Sequence, residues 1–152
     1  MKKIAVLVLA LVANAIADDE QILQNVAQNF ETDEETVKVC LTGAETTIEE
    51  LNIAREKWLE LKENEDVDEE TKESFITHGR FIACMLEKTD LLKDSKLVVA
   101  KIVEKIEKER EPGMVNKEAL TECLNSLNED DEMTREDRAL GLIFCFHNPN
   151  KR

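Results

Sequence analysis

Four cysteines are the residues whose type and number most directly indicate chemistry in this chain. Cys40, Cys84, Cys123 and Cys145 are separated by 44, 39 and 22 residues. Structural zinc sites use closely spaced ligands, and the chain has only two histidines, so the spacing argues against zinc. In a secreted chain an even cysteine count instead indicates disulfides, and four cysteines allow three pairings.

The histidines, His78 and His147, are the side chains that would change charge near neutral pH. One interpretation is a pH sensor that releases a ligand in acid. His147 is the better candidate for that role, because it lies on the last predicted helix just past Cys145. The simpler interpretation, which we favour, places both histidines in solvent or at the edge of the fold.

Acidic residues are abundant, and they are densest in ENEDVDEE (63–70) and NEDDE (128–132). An EF-hand calcium loop needs a central glycine, which neither stretch has, so we predict solvated loops. The chain also lacks G-x-S-x-G, H-E-x-x-H and a His–Asp pair. Cysteines held in disulfides are unavailable as nucleophiles. We therefore predict a protein that is not an enzyme and needs neither a cofactor nor a metal.

The N-terminus, MKKIAVLVLALVANAIADDE, has the order of a secretory signal peptide. Two lysines precede an apolar run from Ile4 to Val12, and an A-x-A site ends at Ala17. That run is too short for a membrane anchor, and acidic residues follow at once. We predict a signal peptide over 1–17, secretion to the extracellular space, and one helical domain over 18–152.

The net charge of the chain is strongly negative. It is −14 for the full sequence, and loss of Lys2 and Lys3 with the signal peptide would make it −16. Such a chain is repelled by nucleic acid and by anionic membrane surfaces. We expect no nucleic-acid partner, no stable membrane insertion, and a monomer or weak dimer.

Glycine and proline are scarce in the sequence, with four and two residues. Capping residues precede several apolar stripes: Asp33 or Thr32, Thr47 with Glu50, and Thr134. These signals predict an all-α domain, a compact bundle of about six helices. The predicted helical segments are 18–31, 33–41, 47–61, 69–87, 95–111, 116–127 and 134–147.

The cysteine spacing, the segment ACMLEKTDLLKDSKL around Cys84 and the FHNP that follows Cys145 resemble the insect odorant-binding protein family. That family is also called pheromone-binding or general odorant-binding. The resemblance implies a signal peptide, six helices around an apolar cavity, and a carrier of hydrophobic ligands. It is weakest between Cys40 and Arg80, where this chain is longer than typical members.

Family members have six cysteines, and this chain matches the first, third, fourth and sixth. The resemblance therefore implies a four-cysteine (C-minus-like) subgroup with two disulfides, Cys40–Cys84 and Cys123–Cys145. Arg80 and Glu136 stand where the second and fifth cysteines would be. We predict an ion pair between them in place of the third disulfide. An exposed pair would contribute at most about 1 kcal/mol.

The resemblance favours an internal ligand cavity lined by apolar residues of the predicted helices. By periodicity alone, the same residues are ordinary core. The absence of tyrosine weakly favours largely apolar ligands. The predicted lining residues are Leu51, Trp58, Phe75, Ile82, Met85, Val99, Ile102, Ile106, Leu124, Leu140, Ile143 and Phe144.

The sequence thus predicts a secreted carrier that binds small hydrophobic ligands, such as odorants, pheromones or fatty acids, in an internal cavity. Olfaction, or transport in venom, saliva or haemolymph, would be its setting, and a membrane receptor is a further candidate partner. The alternative is a secreted protein-interaction factor of venom, salivary or reproductive fluid. It would use the same fold without an open ligand cavity.

Overall fold

A computed structural model describes residues 19–61, 66–110 and 116–147, with seven helices and one short hairpin among them. The all-α prediction is confirmed: the described residues contain seven helices, one for each of the seven helical segments predicted, although the bundle was expected to hold about six. The predicted signal peptide lies outside the described residues. The elements are α1 (Asp19–Asn29), α2 (Glu34–Gly43), α3 (Ile48–Glu60), α4 (Glu69–Lys88), β1 (Leu92–Lys93), β2 (Lys96–Leu97), α5 (Val99–Glu109), α6 (Lys117–Glu129) and α7 (Arg135–His147).

The predicted capping residues begin their helices as expected. The Asp33 carboxylate accepts a hydrogen bond from the amide three positions on, at 2.8 Å, and begins α2. The Thr47 hydroxyl does the same at 3.2 Å before α3. Before α7, the Thr134 hydroxyl accepts from the Asp137 amide at 3.1 Å, while the Asp137 carboxylate accepts from the Thr134 amide at 3.3 Å. These side chains satisfy amides that have no partner within the helix.

Helix α4 lies at the centre of the fold, and it packs against α2, α3 and most extensively α7. Phe81, Ile82, Met85 and Leu86 on α4 are buried. The contact with α7 is close at Gly79, where an added Cβ would lie 3.0 Å from the carbonyl oxygen of Glu136. A glycine suits this position, because a Cβ would require the α7 backbone to shift by a few tenths of an ångström.

Two disulfides cross-link the helices in the pairs that the resemblance implied. Cys40 on α2 is bonded to Cys84 on α4, and Cys123 on α6 is bonded to Cys145 on α7. There are no free cysteines in the chain. The first bridge therefore joins two helices separated by α3, and the second joins two consecutive helices.

The segment before α5 differs from the prediction. A helix was expected from Ser95, but α5 begins at Val99. Leu92 pairs with Leu97 and Lys93 with Lys96 across a two-residue turn, in which Asp94 and Ser95 have φ angles of 52° and 66°. Positive φ at both central residues is typical of a tight hairpin turn and cannot continue a right-handed helix.

Arg138 fixes α7 to this hairpin and to the loop before it. Its side chain is 3% exposed, and its guanidinium donates to three backbone carbonyls. Nε donates to Leu127 at 3.0 Å, Nη1 to Ser95 at 2.7 Å and Nη2 to Asp130 at 2.5 Å. Each nitrogen of the buried Arg138 guanidinium thus donates to a main-chain oxygen.

The predicted ion pair between Arg80 and Glu136 is wrong. Arg80 is exposed, and the Glu136 carboxylate instead accepts from Arg135 Nε at 3.0 Å. The two helices do meet here, but α4 presents Gly79, not Arg80, to α7. Adjacent positions on a helix face different directions, so close packing at Gly79 turns Arg80 toward solvent.

None of the described helices is long and apolar enough to cross a membrane.

Candidate functional site

The interior of the helical domain holds an apolar space that we call the central cavity. Its walls come from the end of α1, from α4, α5 and α7, and from the α4–β1 loop. The volume is about 40 Å³. The lining residues are Phe30, Ile82, Leu86, Leu91, Ile102, Lys105, Ile106, Leu142, Ile143 and Phe146.

Lys105 is the polar member of that lining, and its charge is neutralised by carboxylates. Its Nζ lies 3.0 Å from a Glu109 oxygen and 3.7 Å from a Glu31 oxygen. The ammonium group therefore closes one side of the central cavity without presenting an unpaired charge to it. Such a space can take apolar groups by removing them from water, and it offers little to a polar ligand.

A second space, which we call the lateral cavity, lies between α3, α4 and α7. Its volume is about 240 Å³. Its wall includes the aromatic rings of Phe75 and Phe144 and the aliphatic side chain of Leu140. Phe144 is 39% exposed. The lining residues are Ala54, Arg55, Phe75, His78, Leu140, Gly141 and Phe144.

The α4–α7 pair contributes residues to both cavities. On α4, His78 borders the lateral cavity, and Ile82, one turn later, borders the central cavity. On α7, Gly141 and Phe144 border the lateral cavity, whereas Ile143 borders the central one. The same two helices therefore form part of the wall of both potential binding spaces.

His78 is buried, which corrects the expectation that both histidines lie in solvent or at an edge. Its side chain is 4% exposed. Burial, together with the positive charge of Arg55, lowers the pKa of His78 to about 4. His78 is therefore neutral at physiological pH. The side chain of His147 lies outside the described residues.

The pKa of His78 predicts a loss of stability in acid. In the unfolded chain His78 would titrate near 6.5, so between pH 6.5 and 4 the unfolded state binds a proton that the folded state does not. Stability should fall as pH drops through this window, by about 2 kcal/mol between pH 7 and pH 5. His78→Gln should lack this loss, as measured by urea unfolding at both pH values.

His147 and the many exposed carboxylates are present in both the wild type and His78→Gln. Any effect that they have on the pH dependence of stability is therefore the same in both proteins. An equal drop in stability for the wild type and His78→Gln would contradict the prediction.

The structure distributes the predicted lining residues between the two cavities and the packed core. Four of them line the central cavity: Ile82, Ile102, Ile106 and Ile143. Three line the lateral cavity: Phe75, Leu140 and Phe144. Leu51 borders a polar groove beside α3 and α4. Met85 and Leu124 are buried and Val99 partly buried, outside both cavities. The Trp58 side chain lies outside the described residues.

Several lining residues were not in the predicted set. Phe30 and Leu86 lie on the apolar faces of predicted helices, so helical periodicity contained the signal for them. Leu91 lies in a loop, where no periodicity exists. Arg55 and His78 are polar residues on helices, and no local feature of the sequence distinguishes them from solvent-exposed ones.

Both spaces are suited to binding a small molecule. Among the described residues, no three His, Cys, Asp or Glu side chains come together as a metal site would require. The four cysteines are held in disulfides.

Comparison with known proteins identifies one family. A sequence model of the PBP/GOBP family matches residues 24–149, which is most of the chain and includes every described helix except the first residues of α1. Neither a curated protein nor a solved structure matches the chain significantly.

Proposed function

We propose that the chain, which belongs to the PBP/GOBP family, is a secreted carrier of small hydrophobic ligands. Members of this family, the insect odorant-binding proteins, are small-ligand carriers and not enzymes. Odorants, pheromones and fatty acids are the ligand classes that fit. The observation that carries the proposal is the central cavity, whose lining is apolar except for the neutralised Lys105. An apolar ligand gains about 25 cal/mol for each Å² of apolar surface that it removes from water.

Residues 1–17 serve in this proposal as the signal peptide, and residues 18–152 as the carrier domain. The acidic surface keeps the loaded carrier in solution. The protein acts as a monomer or weak dimer and delivers its ligand, with a membrane receptor as the candidate recipient.

The central cavity must enlarge to hold such a ligand. Its 40 Å³ is far below the roughly 300–1,000 Å³ that ligand sites usually provide. Helix α5 is the wall most able to move outward, because it carries no disulfide and packs chiefly against α6. Ile102 and Ile106, which line the cavity from α5, would move with it.

Ile106→Ala tests this site by enlarging the cavity without adding a polar group. We expect the free protein to lose about 2–5 kcal/mol of stability. Longer ligands should bind more tightly to the variant, since less wall must be displaced to admit them. The measurement is displacement of a fluorescent probe by a series of fatty acids, esters and odorants of increasing length.

Val39→Ala is the matched control, because Val39 is an exposed aliphatic residue on α2. It should bind every ligand as the wild type does. If no ligand displaces the probe from any of these proteins, and the protein captures a specific protein partner, the alternative of a secreted protein-interaction factor is favoured.

A further inference from the structure

Two arginines are buried in the described part of the fold, and they differ in whether their guanidinium groups are hydrogen-bonded. Arg138 is 3% exposed and donates to three carbonyls. Arg55, on α3, is 1% exposed, yet its Nε, Nη1 and Nη2 have no hydrogen-bond partner among the described residues. A buried, unpaired guanidinium is costly, so a fold that keeps one beside a cavity leaves a place for an anion.

Arg55 forms part of the wall of the lateral cavity. Most of the remaining wall is apolar, with two aromatic rings, Phe75 and Phe144, and the aliphatic Leu140. No carboxylate lies among the lining residues to neutralise Arg55. The cavity therefore combines one unsatisfied cation with surfaces suited to a hydrocarbon chain.

We propose that the lateral cavity is a second binding site, which takes a small apolar molecule bearing one carboxylate and pairs that carboxylate with Arg55. The planar guanidinium can donate two parallel hydrogen bonds to a carboxylate. The hydrocarbon part of the ligand lies against Phe75, Leu140 and Phe144.

The size of the cavity indicates the length of the ligand. A volume of 240 Å³ equals that of about eight water molecules in the liquid, and hence about eight to ten non-hydrogen atoms. A medium-chain acid such as octanoate is of this size. The guanidinium nitrogens are themselves buried, so the Arg55 side chain must turn toward the cavity when the carboxylate enters.

The electrostatic surroundings favour an anion at this position, although the protein as a whole is acidic. Burial lowers the pKa of Arg55, and this effect outweighs the opposing influence of the neighbouring Glu56 carboxylate. The neighbouring His78 is neutral at physiological pH, since its pKa is about 4. A neutral imidazole can donate one hydrogen bond without adding a second charge.

Calorimetric titration of octanoate and of octanol at pH 7 tests the proposal. Arg55→Met should weaken octanoate binding by about 10- to 100-fold, the usual effect of removing hydrogen bonds to a charged group. Octanol binding should change little. Arg55→Lys keeps the charge without the planar fork, so its affinity should be intermediate.

Lys38→Met is the matched control, because it removes one positive charge from an exposed position on α2. It should bind octanoate as the wild type does. Arg55→Met should also unfold at a higher temperature than the wild type when no ligand is present, since it removes an unpaired buried charge.

Unchanged octanoate affinity in Arg55→Met would overturn the lateral site, as would an equal loss for octanol. Neither result bears on the central cavity, whose test uses Ile106→Ala. If octanoate binding depends on Arg55 while the probe never enters the central cavity, the lateral site stands and the proposed function of the central cavity fails.

Discussion

A variant with both Cys40 and Cys84 replaced by alanine is expected to lose about 4 kcal/mol of unfolding free energy. The Cys40–Cys84 bridge closes a loop of 44 residues, and its removal lets the unfolded chain explore many more conformations. Domains of this size are stable by about 5–15 kcal/mol, so the variant would retain only part of its stability. Equilibrium unfolding in urea measures the loss.

The second bridge provides an internal comparison. Cys123–Cys145 closes a loop of 22 residues, for which the same chain-entropy argument gives about 3 kcal/mol. The alanine variant of that pair should therefore lie between the wild type and the Cys40/Cys84 variant. A larger loss for the shorter loop would show that native packing around the cysteines, and not loop closure, determines the effect.

Arg138→Met should lower the unfolding free energy by about 3 kcal/mol. The substitution removes hydrogen bonds from Ser95, Leu127 and Asp130 and leaves three carbonyl oxygens with fewer partners. It also releases the hairpin and the α6–α7 loop from α7. The measurement is again urea unfolding.

Arg80→Met is the control for the loss of one arginine charge, because Arg80 is exposed on α4. Its effect should stay within about 0.5 kcal/mol. If Arg138→Met were as mild as Arg80→Met, the three carbonyl contacts would contribute little to stability, contrary to this prediction.

The helical elements could be predicted from the sequence because their ends carry local signals. Asp33, Thr47 and Thr134 each provide an oxygen to the amide three residues later, a contact that depends only on nearby residues. The hairpin before α5 could not be predicted in the same way. Its strands have two residues each, and its turn places Asp94 and Ser95 at positive φ without a glycine.

The candidate sites were less predictable, because they depend on which helix faces meet. Periodicity identified Ile82, Ile106 and Ile143 as inward-facing, and they line the central cavity. It could not show that α4 and α7 approach closely at Gly79 or that these helices line two separate spaces. The burial of Arg55 and His78 follows from that tertiary arrangement, since nothing in their sequence neighbours requires it.

The two disulfides also determine the covalent topology of the molecule. Each closes a loop that neither contains nor crosses the other, one over 40–84 and one over 123–145. The two rings are joined only by the polypeptide between Cys84 and Cys123. A single backbone cut in that connection would produce two covalently separate fragments, held together by non-covalent contacts of which the packing of α4 on α7 is the most extensive.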